Sequence, residues 1–264
     1  MRDRHTGEMV SYNLFRTADG RPRRLRGTAI YSGSARMAEL AGRCGFDVTW
    51  IDLEHGSSDL AVAEALCVAS ESGGAAPLLR IPDAQRCHVL RGAEAGPRIL
   101  VVPMIESAHE AARVVEYAKF PPVGKRGFNL RSRGLSFGLS PAAQTFAGVN
   151  KNLCVMVQIE SRTAVEALDE ILAVNGLDGV FIGPGDLSVS YGCTAQFDNP
   201  ELVAVVRDVT RRAKAAGKLA GILAAPSPVL TAALEAGTDL VICGGDIPGA
   251  IDHWRGLLAK VPAE

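Results

Sequence analysis

The sequence has almost no excess of charge of either sign. Its 28 Lys and Arg residues face 29 Asp and Glu residues, which gives a formal net charge of −1 over 264 residues. Binding nucleic-acid phosphates requires a clear surplus of basic residues, so no nucleic-acid partner is expected. The first 13 residues lack the apolar segment of an export signal, and no apolar run is long enough to cross a bilayer. We therefore predict a cytoplasmic protein that does not engage membranes.

The cysteine motif of metal sites and the glycine motif of dinucleotide-binding sites are also missing. The six cysteines include no Cys-x-x-Cys pair, so neither a structural zinc site nor a small disulfide framework is expected. No Gly-x-Gly-x-x-Gly motif follows the first strand-like run, which argues against an open sheet that binds dinucleotides.

Eight short apolar runs alternate with segments of helical composition. The runs are Thr28–Tyr31, Val48–Leu53, Pro77–Ile81, Ile99–Met104, Leu153–Ile159, Gly179–Ile182, Leu219–Leu223 and Asp239–Cys243. Most are continuously apolar, as expected of parallel strands covered on both faces. Eight βα units in about 250 residues are typical of the (β/α)8 TIM barrel. We predict one α/β barrel domain over residues 27–264, preceded by an extension over residues 1–26.

Residues 119–150 form a long irregular stretch between the fourth and fifth runs, rich in glycine and proline. Loops of this length are usually functional lids or surface excursions. A long βα connection of a barrel lies at its catalytic face, so we expect a lid over the mouth.

Polar residues that directly follow the apolar runs are the candidates for catalysis, because barrel enzymes act at the carboxyl ends of their strands. Arg80 follows Glu54, and Asp186 follows Glu160, at the same interval of 26 residues. This interval is about one βα unit. We therefore expect the members of each pair to lie at similar height on adjacent strands.

Glu160 and Asp186 offer carboxylate oxygens with no His or Cys nearby. Hard oxygen ligands favour Mg²⁺ or Mn²⁺, and two protein ligands leave positions open for water and substrate. The alternative is that each residue caps the helix that follows it. The turn Gly183–Asp186 can present backbone N–H groups to a substrate carboxylate.

His55 is the natural acid/base of the set, since imidazole titrates near neutral pH. Asp52 and Glu54 flank it, and strand alternation allows at most one of them to orient the ring. Arg80 offers a fork of donors to an enolate oxygen or a carboxylate, and an ion pair with Glu54 is compatible with that role.

These residues belong to motifs that resemble the HpcH/HpaI family of class II, metal-dependent pyruvate aldolases. The resemblance runs from about Ser34 to Asp246. Its motifs are Phe46–His55, Leu79-Arg80, Val102–Met104, Tyr117–Gly127, Val157–Glu160 and Asp178–Ser188.

The resemblance implies a lyase that cleaves or forms a 4-hydroxy-2-keto acid through a pyruvate-type enolate, with a 2-keto acid and an aldehyde as small-molecule partners. It implies Mg²⁺, Mn²⁺ or Co²⁺ at Glu160 and Asp186, a base at His55 and enolate stabilisation by Arg80. The substrate contacts are expected at Arg80, Gln158, Gly185, Asp186 and Leu223. Family members are typically homohexamers, trimers of dimers that exchange their last helix, here around Pro248–Leu258.

Two departures from the family pattern bear on the substrate. The segment Phe128–Gly134 adds Arg131 and Arg133, which over the mouth suggest an anionic or unusually polar second substrate. Glu94 stands where many relatives carry an Asp that supports the base from a neighbouring subunit.

Three other functions remain open from the sequence. One is a decarboxylase of an oxaloacetate-like acid, and another is an acyl-CoA lyase similar to citrate lyase β chains, both with the same enolate site. The third is a barrel that binds a 2-keto acid without catalysis. A Schiff-base aldolase is not expected, because Lys218 begins its strand instead of ending it.

Overall fold

The structure, a computed structural model, describes residues 14–261. Eight parallel strands close into a barrel in chain order, each paired with its sequence neighbours and β8 with β1. The strands are β1 (Leu25–Ala29), β2 (Val48–Asp52), β3 (Ala76–Arg80), β4 (Ile99–Val102), β5 (Cys154–Ile159), β6 (Gly179–Ile182), β7 (Leu219–Leu223) and β8 (Leu240–Gly245). The predicted (β/α)8 barrel is confirmed.

Helices surround the barrel and connect its strands. They are α1 (Ala35–Arg43), α2 (Leu60–Gly73), α3 (Arg86–Glu94), α4 (Ala108–Ala118), α5 (Ala142–Asn152), α6 (Arg162–Glu166), α7 (Leu168–Leu172), α8 (Pro184–Ser190), α9 (Pro200–Ala215), α10 (Pro228–Glu235) and α11 (Asp246–Leu258). None of the helices within residues 14–261 is both long and apolar enough to pass through a bilayer.

Two apolar clusters hold the fold together. The larger lies between the outer faces of the strands and the helices, and the smaller fills the barrel interior. The interior includes Trp50 and Phe181, whose ring centroids lie 4.9 Å apart. Phe15 is buried against this cluster from the amino-terminal segment. Each fully buried side chain of this size contributes about 1.5–3 kcal/mol, so the filled interior makes the barrel a rigid support for its rim.

Several boundaries differ from the sequence prediction. β1 begins at Leu25, inside the extension predicted over residues 1–26, because Arg26 faces outward while Leu25 pairs with Leu240 and is buried. The predicted helix Arg162–Val174 is two short helices, α6 and α7, that meet at Ala167. Residues 1–13 of the predicted extension and residues 262–264 of the predicted barrel domain lie outside the described residues.

The prediction that residues 119–150 cover the mouth of their own barrel is wrong. The segment follows α4, not β4, so it starts at the amino-terminal end of the barrel. Lys119 Nζ donates to the carbonyl oxygen of Leu153, just before β5, and to Asp178 Oδ2, just before β6, at 3.0 Å. The loop then contains the 3₁₀ segment Arg133–Gly138 and α5, neither of which was predicted.

Candidate active site

Polar side chains occupy the last inward-facing layer of the barrel. β2 places Val48, Trp50 and Asp52 on its inner face, and the first two belong to the interior apolar cluster. The same alternation on the neighbouring strands turns Arg80 and Gln158 inward at the carboxyl end, where both are buried. The rim of the barrel is therefore charged while its interior is apolar.

Arg80 is held between two carboxylates. Its Nε and Nη2 atoms donate to Asp52 Oδ1 at 3.0 Å and Oδ2 at 2.5 Å. Its Nη1 atom forms an ion pair with Glu54 Oε2 at 2.7 Å, without hydrogen-bond alignment. Burial alone lowers the pKa of Arg80, but the hydrogen bonds and charge of Asp52 outweigh burial and the net pKa shift is upward. The guanidinium is therefore fixed and charged.

The register corrects the predicted heights. Asp52, and not Glu54, pairs with Arg80 across β2 and β3. Ile159 pairs with Ile182 across β5 and β6, so Glu160 is level with Gly183 and not with Asp186. Burial raises the pKa of Glu54 above its ordinary value, and the charge of Arg80 offsets part of that rise. Glu54 lies beyond the end of β2, yet its side chain still reaches the guanidinium.

His55 lies in the exposed turn after β2. Its backbone N–H donates to Asp52 Oδ1 at 3.3 Å, as does that of Glu54 at 3.0 Å. Among the described residues, neither Asp52 nor Glu54 makes a hydrogen bond to the imidazole ring. The flanking carboxylates therefore hold the turn and Arg80, and the ring is left open to solvent and substrate.

Glu160 is buried directly after β5. Its Oε1 accepts the backbone N–H of Met104 at 2.7 Å, and its Oε2 accepts from Gln158 Nε2. Met104 adopts a left-handed conformation with φ 53°, a strained geometry for a side chain of this kind. Burial raises the pKa of Glu160, the two hydrogen bonds oppose that rise, and the charges of Glu54 and Asp186 add to it.

Asp186 is exposed in the first turn of α8. The charge of Asp186 acts on both Glu54 and Glu160, so the three carboxylates share one region of the rim. The alternative that Glu160 and Asp186 are helix caps is wrong. Ser161 caps α6 with its hydroxyl, and Gly183 is the cap residue of α8.

The surroundings of Glu160 fit a divalent cation. Gln158 Oε1 is buried and has no hydrogen-bond partner among the described residues. A Cβ atom at Gly183 would lie 2.6 Å from Glu160 Oε2 and 2.8 Å from Gln158 Nε2, so only glycine lets the backbone lie this close to the two side chains. Mutually repelling carboxylates next to an unsatisfied acceptor are stabilised by a positive charge. Oxygen donors of this kind suit Mg²⁺ or Mn²⁺.

Residues 14–261 contain no group of three or more His, Cys, Asp or Glu side chains arranged to hold a metal ion.

Gly185 is exposed in the first turn of α8, and a Cβ atom there would meet nothing within 4 Å. The first backbone N–H groups of a helix have no acceptor within the helix, so this turn is open to an anion. Leu223 ends β7 half-buried against the interior cluster.

Sequence reasoning missed two aromatic residues at the rim. Trp50 lies under Arg80, whose Cζ is 5.1 Å from the centroid of its ring. Tyr31 follows β1, half-buried beside the interior cluster, and its pKa responds to Asp52 and Arg80. The alternation of β2 could have found Trp50. Tyr31 was the last residue of a predicted strand and belonged to no recognised motif.

The residues that depart from the family pattern lie away from this rim. Arg133 pairs with Glu71 of α2 at 2.5 Å, and Gly134 packs against the backbone at the end of α3. Glu94, the last residue of α3, accepts from Asn129 Nδ2 at 2.9 Å. The added arginine at position 133 is therefore not above the mouth of its own barrel.

Comparison with known proteins identifies the family. The model of the HpcH/HpaI aldolase/citrate lyase family matches residues 30–251. The chain belongs to this family. A hydroxypyruvate/pyruvate aldolase of Agrobacterium fabrum is 36% identical over 252 residues, which are 94% of this chain and 93% of that protein. A 2-keto-3-deoxy-L-rhamnonate aldolase of Klebsiella pneumoniae is 36% identical over 226 residues, 83% of this chain and 82% of that protein.

A solved structure of an HpcH/HpaI aldolase/citrate lyase family protein from Burkholderia cenocepacia superposes with a TM-score of 0.83 at 29% identity, and covers 90% of this chain and 94% of that one. The predicted family and the predicted class, a carbon–carbon lyase of the aldolase type, are confirmed.

Proposed function

We propose that this member of the HpcH/HpaI family cleaves and forms a 4-hydroxy-2-keto acid, releasing a pyruvate-type 2-keto acid and an aldehyde, with Glu160 and Asp186 holding a divalent cation. The observation that carries the proposal is the buried Glu160 carboxylate beside the unsatisfied Gln158 oxygen, in the same region of the rim as Glu54 and Asp186. The relatives named as hydroxypyruvate/pyruvate and 2-keto-3-deoxy-L-rhamnonate aldolases support the same reaction class.

Mg²⁺, Mn²⁺ or Co²⁺ is the proposed cation, and when bound it supplies Lewis-acid stabilisation of the negative charge that develops on the keto oxygen. Gln158 places its buried amide against Glu160, with its Oε1 atom unsatisfied. The open first turn of α8 at Gly185 receives the substrate carboxylate through backbone N–H groups. Leu223 forms an apolar part of the wall.

Arg80 and His55 carry the remaining roles. A guanidinium has five N–H donors, so Arg80 keeps donors for the enolate oxygen beyond those used by Asp52 and Glu54. His55, exposed at the rim, takes the proton of the 4-hydroxyl group in cleavage, directly or through water, and returns it in synthesis. Asp52 and Glu54 position Arg80, and Asp52 also fixes the backbone of the His55 turn.

The last helix supports a homohexamer, a trimer of dimers that exchange α11. None of the residues of α11 is buried in the chain. Its exposed apolar residues recur at helical spacing, as Ile247, Ile251, Trp254 and Leu258. Trp254 is 64% exposed, and an apolar stripe of this kind is typical of a subunit contact.

The test measures pyruvate release from a panel of 4-hydroxy-2-keto acids and from oxaloacetate, with and without each cation. We expect release from the hydroxy acids only with a cation. Glu160→Gln and Asp186→Asn are expected to lose both turnover and Mn²⁺ binding by calorimetry. Asp198→Asn, an exposed carboxylate in the loop after α8, is the matched control and retains both. Turnover by Glu160→Gln after chelator treatment would exclude the proposal.

A further inference from the structure

Tyr31 and the cation-binding carboxylates lie on opposite sides of the barrel mouth. In the closed order of eight strands, β1 is four strands away from β5. Glu160 follows β5 and Asp186 follows β6, whereas Tyr31 follows β1. A 2-keto acid held beside Glu160 therefore leaves the side formed by β1 and β8 for its reaction partner.

The position of Tyr31 is fixed by the junction between β8 and α11. Asp246 Oδ1 accepts the backbone N–H of Tyr31 at 2.8 Å. Asp246 Oδ2 accepts the backbone N–H of Ser32 at 3.2 Å and also the Ser32 hydroxyl. A Cβ atom at Gly245 would lie 2.8 Å from the Tyr31 ring, so the ring occupies space that only a glycine at 245 leaves. The junction between β8 and α11 thus holds one aromatic side chain at the rim.

The hydroxyl group of Tyr31 makes no hydrogen bond within residues 14–261, although the ring is half-buried. Burial raises its pKa, the charges of Asp52 and Asp246 add to that rise, and the charge of Arg80 opposes it. The phenol is therefore a neutral donor whose O–H is available to a ligand at the rim.

The charges beside Tyr31 favour an uncharged partner. Two carboxylates, Asp52 and Asp246, and one guanidinium, Arg80, act on its phenol. The guanidinium is already paired with Asp52 and Glu54, so it does not offset the carboxylates. An aldehyde that carries a carboxylate meets net repulsion here, and Arg133 is paired with Glu71 elsewhere.

We infer that Tyr31 is a specificity-determining residue that selects a neutral, hydroxylated aldehyde, to which its phenol O–H donates a hydrogen bond while its ring packs along the carbon chain. The inference rests on the proposed aldolase function and adds the chemical class of the second substrate. Of the anionic or unusually polar partner expected from arginines above the mouth, it retains the polar one.

The test uses Tyr31→Phe, which removes the hydroxyl and keeps the ring against Gly245. With pyruvate as donor, the aldehydes are glycolaldehyde and propionaldehyde, which have the same number of heavy atoms. We expect kcat/KM for glycolaldehyde to fall about 3- to 10-fold, the worth of one neutral hydrogen bond, and kcat/KM for propionaldehyde to stay within about 2-fold. The wild type is expected to prefer glycolaldehyde over the anionic succinic semialdehyde.

Two controls separate the possible failures. Tyr117→Phe removes a hydroxyl that accepts from Arg113 on the surface of α4, and it should leave the glycolaldehyde/propionaldehyde ratio unchanged. Cation-dependent exchange of the C3 protons of pyruvate with deuterium needs no aldehyde and reports enolate formation alone. Exchange with an unchanged ratio in Tyr31→Phe overturns the inference and leaves the aldolase standing. No exchange in the wild type overturns the proposed function, and the inference with it.

Discussion

Asp52 and Arg80 lie side by side in the register of β2 and β3, and the carboxylate of one receives two hydrogen bonds from the guanidinium of the other. Both side chains are buried at the rim of the barrel. The planar fork of Arg80 is therefore fixed before any substrate arrives. Fixed donors stabilise a developing charge without reorganising during the reaction.

Replacement of Arg80 by Met is predicted to destabilise the fold by about 3–5 kcal/mol, because Asp52 is left buried without its counter-charge. Urea unfolding followed by circular dichroism measures the loss. Arg212→Met, which removes pairs with the exposed Asp169 and Asp208, should cost less than about 1 kcal/mol. The double variant Asp52→Asn/Arg80→Met should regain about 1 kcal/mol or more of the loss. A double variant no more stable than Arg80→Met would contradict the prediction.

Gly183→Ala is predicted to weaken Mn²⁺ binding by about 10- to 100-fold while the barrel stays folded. The added Cβ atom would lie 2.6 Å from Glu160 Oε2, so the carboxylate must move. Calorimetric titration with Mn²⁺ measures the effect. Gly185→Ala is the matched control, because its Cβ atom meets nothing within 4 Å and Mn²⁺ affinity should not change. Equal affinities for the two variants would argue against an ion beside Glu160.

The preference for glycolaldehyde over propionaldehyde is predicted to persist from about pH 7 to about pH 10. A phenol donates only while protonated, and burial raises the pKa of Tyr31 above its ordinary value of 10.0. The raised pKa therefore keeps the phenol protonated, and able to donate a hydrogen bond, up to a higher pH. Three charged groups, Asp52, Asp246 and Arg80, act on the Tyr31 phenol. The upward direction of its pKa shift includes the effects of all three. The ratio of the two kcat/KM values across this range is the measurement, and a preference lost well below pH 10 would contradict the donor role.

Trp254→Glu is predicted to dissociate the oligomer, because it places a charge in the apolar stripe of α11. Size-exclusion chromatography with light scattering should show a smaller species at unchanged helical content by circular dichroism. Val68→Glu, at an exposed valine of α2 outside this stripe, is the control and should leave the mass unchanged. An unchanged mass for Trp254→Glu would exclude α11 as the subunit contact.

The barrel could be predicted because its signals are local. Strands buried on both faces, such as Val48–Asp52 and Gly179–Ile182, give continuously apolar runs. Because helical segments separate these runs at regular intervals, few fold topologies are compatible with the sequence. The polar ends of the same runs indicated which residues meet at the rim, because all parallel strands of a barrel end on one side.

The contacts within the rim could not be predicted, because they depend on register and on which connection a loop belongs to. A shift of two positions decides that Asp52, and not Glu54, lies level with Arg80. The loop over residues 119–150 was placed at the wrong end because it was counted as following a strand, although α4 precedes it. Tyr31 reached the site through a contact with Asp246, 215 residues away in the chain, which no local pattern encodes.

Asp246 is at once the first residue of α11 and the acceptor that holds the turn after β1. A displacement of the first residue of α11 therefore moves the acceptor of the Tyr31 backbone N–H, and with it the residue whose ring lies at the mouth. Where two copies bind through α11, the helix that makes the contact therefore begins at the residue that holds Tyr31 in each copy.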